Sequence, residues 1–200
     1  DLGVLAFGRF NPITSGHEAL VNKVKDIAAA HKASHNIVLS HSQDKNKNPL
    51  SAQQKLKYAR SFFPGVHFSA SDKQHPHFLS QAEKLYKSGI THLHMIAGSD
   101  RIPEYQKLLS KYNGTNEGAL FNFKDIKVHS AGERDPDAEG VTGMSASKMR
   151  EAAAANKFKD FVKGLPSKAN EKVGKQMFDD VRKGMNLSES VLQEGVHDQA

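Results

Sequence analysis

The feature that most constrains the fold is the alternation of short apolar runs with amphipathic segments along most of the chain. The apolar runs have the length of buried strands, and the segments between them repeat apolar residues at helical spacing. Parallel strands need such crossover helices, so the alternation predicts an α/β fold with a Rossmann-like, doubly wound parallel sheet of about five strands and further C-terminal helices. The predicted strands are Val4–Phe7, Asn36–Ser40, Val66–Ser69, Thr91–Ala97 and Ile126–Ser130.

The first predicted strand runs into a tight turn and then into a helix. Gly8, Asn11 and Pro12 interrupt the apolar run, and helical periodicity begins after Ser15. Thr14 or Ser15 can cap that helix. A helix N-terminus attracts anions through its unpaired N–H groups and its dipole, so the sequence predicts an anion site here.

Two residues of the first helical turn favour a phosphate ligand. Gly16 leaves room for a ligand to approach the backbone, and the imidazole of His17 can donate to a phosphate oxygen. Strand, turn and helix together therefore predict that the phosphates of a nucleotide bind in this stretch.

A second polar phrase begins a helix late in the chain. Ser145 is a natural N-cap, and Lys148 and Arg150 fall in the first turns of the helix that follows it. Cations at a helix N-terminus oppose the macrodipole, and binding the β and γ phosphates of a nucleotide would account for them. The polar stretch 131–140 before this phrase is rich in Gly and Pro, and it is predicted to be a mobile loop over the site.

The two phrases resemble the two signatures of the nucleotidylyltransferase superfamily. The first signature has the form G-x-F-x-P-x-(T/H)-x-G-H, and the second is a serine-rich segment that ends in Arg. Two weaker similarities accompany them: a K-N-P-x-S-x-x-x-R phrase in which this chain has Lys55 in place of the usual Arg, and a G-x-D after the fourth strand. The matching residues are Gly8, Phe10, Pro12, Thr14, Gly16 and His17; Ser145, Ser147, Lys148 and Arg150; Lys47, Asn48, Pro49 and Ser51; and Gly98 and Asp100.

Each weaker match also has an ordinary structural interpretation. The Lys47 phrase has the composition of a plain loop and helix start, with Ser51 as the cap and Gln54 at the capping-box position. Ser99 or Asp100 can likewise be the N-cap of the helix that follows the fourth strand.

The resemblance implies transfer of AMP or CMP from ATP or CTP to a phosphorylated small-molecule acceptor, with release of pyrophosphate. It implies Mg²⁺ bridging the phosphates and no metal ligand from the protein. The implied catalytic residues are Thr14, His17, Lys148 and Arg150; the implied nucleotide-binding residues are Gly8, Arg9, Phe10, Gly16, His17, Gly98, Asp100, Ser145, Ser147 and Arg150; and the implied acceptor-binding residues are Lys47, Ser51 and Lys55.

The resemblance leaves open which acceptor and which nucleotide base the chain uses. The P-I-T-x-G-H wording resembles pantetheine-phosphate adenylyltransferases, whereas the G-R-F-x-P opening and the S-x-S-x-x-R close resemble nicotinamide-nucleotide adenylyltransferases. Cytidylyltransferases share the same skeleton, and the chain also resembles phage-encoded members. The alternative function is a nucleotide-binding or assembly module that keeps the fold with little turnover.

Composition excludes several other classes of function. The chain has no cysteine, which removes disulfide and thiolate chemistry. Its net charge of +6 comes from lysines scattered over nearly every predicted helix, a distribution typical of solvated faces rather than of a nucleic-acid surface. His92 and His94 alternate on one strand face, but no acidic residue at suitable spacing completes a metal site. Without a long apolar run or a signal peptide, the sequence predicts a cytoplasmic protein that has no membrane partner.

The predicted organisation is one main domain with a C-terminal extension. Residues 1–165 form the Rossmann-like domain, residues 166–185 are a helical extension of it, and residues 186–200 are a tail or a linker toward a further domain. The resemblance covers the first of these segments. A homo-oligomer is compatible with the sequence, which does not decide the point.

Overall fold

The computed structural model describes residues 1–132 and 144–187, and these divide into two compact units that alternate along the chain. The first unit comprises Asp1–Gly8, Glu18–His41 and residues 65–132. The second unit comprises Arg9–His17, Ser42–Pro64 and residues 144–187. The predicted loop over the site lies largely, and the predicted tail almost wholly, outside the described residues.

The first unit is built on a parallel sheet whose five strands lie in the order β3-β2-β1-β4-β5. Every neighbouring pair is parallel, so the chain starts in the middle of the sheet, moves outward through β2 and β3, and returns to place β4 beside β1. This is the predicted doubly wound α/β fold, and the prediction is confirmed. The strands are β1 (Leu2–Gly8), β2 (Ser34–Leu39), β3 (Phe68–Ala70), β4 (His92–Ala97) and β5 (Asp125–Ser130).

Three helices of the first unit cover this sheet. Successive strand residues point to opposite faces, and α1 packs its buried residues on β1, β2 and β4. A separate apolar cluster joins Leu5, Val38 and Met95 of the strands to aromatic residues of the other two helices. Within it, Phe78 and Tyr105 stack with ring centroids 4.1 Å apart. The three helices are α1 (Glu18–His31), α3 (Phe78–Lys87) and α4 (Ile102–Lys111).

The second unit is helical and includes Arg9–His17 of the first signature and Ser145–Arg150 of the second. Its apolar core is formed by α2, α5, α6 and α7, and both Phe158 and Phe161 pack edge-to-face on Phe178 at a centroid distance of 5.2 Å. The guanidinium of Arg182 is buried and donates to the carbonyl of Ala153 at 2.5 Å, which satisfies an end group of α5. The helices are α2 (Ala52–Phe62), α5 (Ala146–Ala154), α6 (Phe158–Lys163) and α7 (Glu171–Gly184).

Among residues 1–132 and 144–187, no helix combines the length and the apolar character needed to cross a bilayer.

Candidate functional site

The candidate site is the segment Arg9–His17 of the second unit, which follows β1 in the chain. A 3₁₀ turn, Ser15–His17, ends it and leads directly into α1. The hydroxyl of Thr14 accepts the Gly16 N–H at 3.1 Å, so Thr14 provides the local cap. The hydroxyl of Ser15, the other predicted cap, accepts the backbone N–H of Met144 at 3.4 Å.

The His17 ring is held by the backbone of its own turn. Its Nδ1 accepts the Thr14 N–H at 2.9 Å and lies 3.4 Å from the Thr14 hydroxyl oxygen. An imidazole nitrogen that accepts carries no hydrogen, so this contact selects the tautomer with its hydrogen on Nε2. Phe10 packs edge-to-face on the ring, with centroids 4.4 Å apart and an interplanar angle of 85°. The turn therefore fixes both the orientation and the donor atom of His17.

Asn11 attaches this segment to the chain before α2. Its side-chain oxygen accepts the Leu50 N–H and its amide nitrogen donates to the Leu50 carbonyl, both at 2.9 Å. Asn11 is only 1% exposed, so its two polar atoms satisfy two backbone groups that would otherwise be buried without partners. Asn11 was not among the predicted site residues, because it occupies a variable position of the signature and an Asn-Pro pair indicates only a turn.

Two basic side chains hold carbonyls on either side of Phe10. Lys55 of α2 is buried, and its Nζ donates to the Arg9 carbonyl at 2.6 Å. Arg150 of α5 donates from a terminal nitrogen to the Asn11 carbonyl at 2.9 Å. The structure thus brings the predicted residues Lys55 and Arg150 to the segment that carries His17.

Positive charge accumulates at this segment. Burial and then the charge of Arg9 lower the pKa of Lys55 to about 8. Burial followed by the charge of Arg9 also lowers the pKa of Arg150, while Asp44 and Glu151 act in the opposite direction. Arg9 itself is exposed. Because like charges repel, three cations gathered in this way favour an anionic ligand.

The second signature begins α5 as predicted. Ser145 is its N-cap, and the Ser145 hydroxyl accepts the Lys148 N–H at 3.1 Å. Ser147 is exposed in the first turn, and Lys148 is half-buried. The first three residues of the phrase, 141–143, lie outside the described residues.

Gly164, at the C-terminus of α6, also supports the site. Its carbonyl accepts the Ser15 N–H at 2.8 Å, and a Cβ placed on it would meet the sulfur atoms of Met144 and Met149. A glycine that ends a helix can be read from a sequence, but its contact with the first signature cannot.

Lys47 and Ser51, which were predicted to bind the acceptor, make hydrogen bonds within their own segment of the chain. Lys47 is exposed, and its backbone N–H donates to Asp44 Oδ1 at 2.7 Å. The Ser51 hydroxyl accepts the Gln54 N–H at 3.2 Å, while the Gln54 side chain accepts the Ser51 N–H at 2.9 Å. This is the predicted capping box, which accounts for Ser51 without a ligand.

Gly8, Gly98 and Asp100 belong to the first unit. Gly8 ends β1, Gly98 follows β4, and these two strands are neighbours at the point where the strand order reverses. Ligands of doubly wound sheets bind beyond the carboxyl ends of strands at such a point. Asp100 is exposed in the 3₁₀ turn Ser99–Arg101, and no side chain caps either that turn or α4, so the capping interpretation of Ser99 and Asp100 is wrong.

A protein-held Mg²⁺ does not fit the donor set around His17. The groups near that segment are cationic, and among residues 1–132 and 144–187 no three His, Asp or Glu residues could hold a metal ion together. Mg²⁺ prefers carboxylate, phosphate and water oxygens. A Mg²⁺ ion brought in on the phosphates of a nucleotide stays a prediction.

Comparison with solved structures identifies the fold. One match is a bifunctional NMN adenylyltransferase/ADP ribose pyrophosphatase from Francisella tularensis, with a TM-score of 0.56 and 13% identity, covering 100% of this chain and 57% of that one. Another is Thermotoga maritima TmcAL bound with alpha-thio ATP, with a TM-score of 0.50 and 13% identity, covering 92% of this chain and 55% of that one. At 13% identity, both likenesses show the fold alone.

The resemblance drawn from the two signatures is therefore confirmed at the level of the fold. The chain spans somewhat more than half the length of each of these two proteins. No protein-family model matches the sequence, and no curated protein matches it. The function of this fold in this chain therefore depends on its own residues.

Proposed function

We propose that this protein is a nucleotidylyltransferase that transfers AMP or CMP from a nucleoside triphosphate to a phosphorylated small molecule and releases pyrophosphate. One observation carries the proposal: the backbone N–H of Thr14 holds His17 as an Nε2–H donor in a segment where Arg9, Lys55 and Arg150 concentrate positive charge. A fixed donor beside several cations suits the phosphates of a nucleotide.

The reaction needs no nucleophile from the protein. A phosphate oxygen of the acceptor attacks the α-phosphorus in line, a new P–O bond forms, and the bond from the α-phosphorus to the bridging oxygen breaks. Pyrophosphate leaves with the electron pair of that bond. Catalysis then consists of positioning the reactants and stabilising the charge that develops on the phosphate oxygens.

Each group at the site has a proposed role in this step. The Nε2–H of His17 donates to an α- or β-phosphate oxygen, and its geometry is set before the substrate arrives because the Thr14 contact is part of the fold. Arg9 and Lys148 contact the phosphates. Arg150 also has this role, since a guanidinium carries five N–H groups and the contact with Asn11 uses one.

A second candidate function is a nucleotide-binding module with little turnover. The acceptor side favours it, because the Ser51 hydroxyl is used in a capping box and the Lys55 ammonium donates to a backbone carbonyl. Such a module would bind ATP or CTP and release no pyrophosphate with any acceptor.

The experiment that separates the two candidates measures pyrophosphate release from ATP and from CTP. The acceptor panel contains nicotinamide mononucleotide, phosphopantetheine and a polyol phosphate, and nucleotide binding is followed by calorimetry in parallel. Release with one acceptor supports the transferase. Nucleotide binding with no release supports the module, and neither binding nor release contradicts both.

The variant His17→Ala tests the catalytic role directly. Loss of a donor to the transition state is expected to lower kcat by at least about a hundredfold, as removal of a single oxyanion donor does in other enzymes. His67→Ala is the matched control, because His67 is an exposed histidine of the first unit. Equal turnover by His17→Ala and the wild type would refute the role of His17.

A further inference from the structure

The backbone around Phe10 is held in an unusual conformation. Phe10 has φ of 46°, in the left-handed region that costs free energy for a residue with a side chain. Its ring is 4% exposed and packs edge-to-face on the His17 imidazole. Something must hold this conformation. Besides the Asn11 side-chain bonds to Leu50, two cationic contacts lie next to Phe10 in the chain: those of the Arg9 and Asn11 carbonyls with Lys55 and Arg150.

Lys55 makes the less expected of these two contacts. It lies on α2 with 2% of its surface exposed, and its Nζ donates to the Arg9 carbonyl at 2.6 Å. A buried charge is costly, and a short charge-assisted hydrogen bond offsets part of that cost. An apolar residue of similar length at this position would avoid the cost of burying a charge, yet the position carries a cation.

We propose that Lys55 is a positioning residue whose ammonium holds the Arg9 carbonyl, fixes the Phe10 backbone and thereby orients the His17 imidazole. Lys55 acts through the backbone and does not contact the substrate. Its effect on turnover rests on the proposed function, whereas its effect on the His17 ring does not. This role differs from acceptor binding, which the sequence resemblance implies for the same residue.

The protonation state of Lys55 gives the proposal a pH signature. Because its pKa is lowered to about 8, the ammonium loses its proton within an accessible pH range. A neutral amine is a weaker donor, so the hold on the Arg9 carbonyl weakens as the pH rises through that value. The groups that face the ammonium include the Arg9 side chain and the Arg9 carbonyl.

The kinetic test uses Lys55→Met and Lys55→Arg, with melting temperatures to show that both variants fold. Lys55→Met is expected to lower kcat by about tenfold to a hundredfold with the acceptor KM nearly unchanged, since loss of positioning acts on the chemical step. In the wild type, kcat should fall as the pH rises through about 8, and Lys55→Arg should remove that fall because an arginine stays protonated. A raised acceptor KM with unchanged kcat would instead make Lys55 an acceptor-binding residue and overturn the proposal.

A second readout needs no substrate. The ¹⁵N resonances of the His17 ring, identified by their absence in His17→Ala, are followed by NMR from pH 6 to 10. They should shift around pH 8 in the wild type and not in Lys55→Arg or Lys55→Met. The exposed His67 ring is the internal control and should show no step that depends on Lys55.

The two readouts separate failure of this proposal from failure of the proposed function. If the His17 resonances follow Lys55 and no acceptor supports pyrophosphate release, the positioning role stands and the transferase activity fails. If pyrophosphate is released and the His17 resonances do not change with the ionisation of Lys55, the positioning role is overturned and the activity stands.

Discussion

Two regions of this protein hold an imidazole nitrogen in a hydrogen bond of nearly equal length, and they differ in the partner. In the second unit, His17 Nδ1 accepts from the Thr14 backbone at 2.9 Å. In the first unit, His94 Nδ1 lies 2.8 Å from His129 Nε2, with the two rings stacked at 21°. A backbone N–H keeps its hydrogen at every accessible pH, whereas a second imidazole titrates.

The different partners give the two histidines different roles. The backbone contact uses His17 Nδ1 as an acceptor and leaves the hydrogen of the neutral ring on Nε2, which suits a group that must be ready for a substrate. The His94–His129 pair shares one hydrogen, so a proton on every ring nitrogen would place two donors face to face. The partner in the first arrangement does not titrate, and the partner in the second does.

The largest expected effect comes from breaking the support of the His17 segment with Asn11→Leu. This change leaves the Leu50 N–H and carbonyl buried without partners, and the free energy of unfolding should fall by about 2–4 kcal/mol. The loss should be the same at pH 5.5 and pH 8, measured by urea denaturation. Asn22→Leu, at an exposed position of α1, is the control and should change stability by less than about 0.5 kcal/mol. Equal losses in the two variants would deny Asn11 its structural role.

A smaller effect should show how far that support extends. A Cβ on Gly184 would meet the Pro49 carbonyl, next to the Leu50 groups that bind Asn11, whereas a Cβ on Gly174 in the same helix would meet a methyl group of Leu165. A backbone carbonyl moves less readily than the end of a side chain. Gly184→Ala should therefore lower the free energy of unfolding by about 1–3 kcal/mol and Gly174→Ala by clearly less, although both changes raise helix propensity. Unfolding in urea measures both variants, and a costlier Gly174→Ala would contradict this account of α7.

The smallest effect should come from the histidine pair and should depend on pH. Burial and then the charge of His129, with smaller effects of His31 and Lys127, lower the pKa of His94, and Asp125 acts in the opposite direction. Burial and then Lys23, followed by Lys127 and His31, lower the pKa of His129. As the pH falls, these two histidines therefore take up protons in the unfolded chain before they do so in the folded protein. The contribution of the pair to the free energy of unfolding is complete above the ordinary pKa of 6.5 and is lost as the pH falls through it.

The double variant His94→Asn/His129→Gln tests this dependence, because the two amides can replace the hydrogen bond without titrating. The free energy of unfolding, measured from pH 8 down to pH 5, should fall less steeply for the double variant than for the wild type. Parallel curves for the two proteins would show that the pair contributes nothing to the acid sensitivity.

The sequence was sufficient for the parts of the structure that depend on local patterns. The alternation of strands and helices predicted the five strands of the sheet, the spacing of apolar residues predicted a helix after Ser15, where α1 lies, and the capping patterns at Ser51 and Ser145 are present in the structure. Each of these signals lies within a window of a few residues, where propensity and periodicity act directly.

The contacts that shape the candidate site could not be predicted in this way. Lys55 and Arg150 were recognised as site residues, but their contacts with the carbonyls of Arg9 and Asn11 are made to backbone atoms, which leave no pattern in the sequence. His94 was considered with His92 as a neighbour on its own strand, whereas it pairs with His129 across the sheet, and that depends on strand order. The ligand roles of the predicted residues stay predictions.

The interleaving of the two units also has a consequence for folding. The bond between Asn11 and Arg150 joins residues 139 positions apart, and Ser15 binds the carbonyl of Gly164. Contacts between such distant residues form slowly, because a long loop must be closed before they return any free energy. During synthesis, more than a hundred residues must follow the His17 segment before α5 and α6 can meet it. The groups proposed to bind the nucleotide are thus synthesised at widely separated times and come together only after both segments are present.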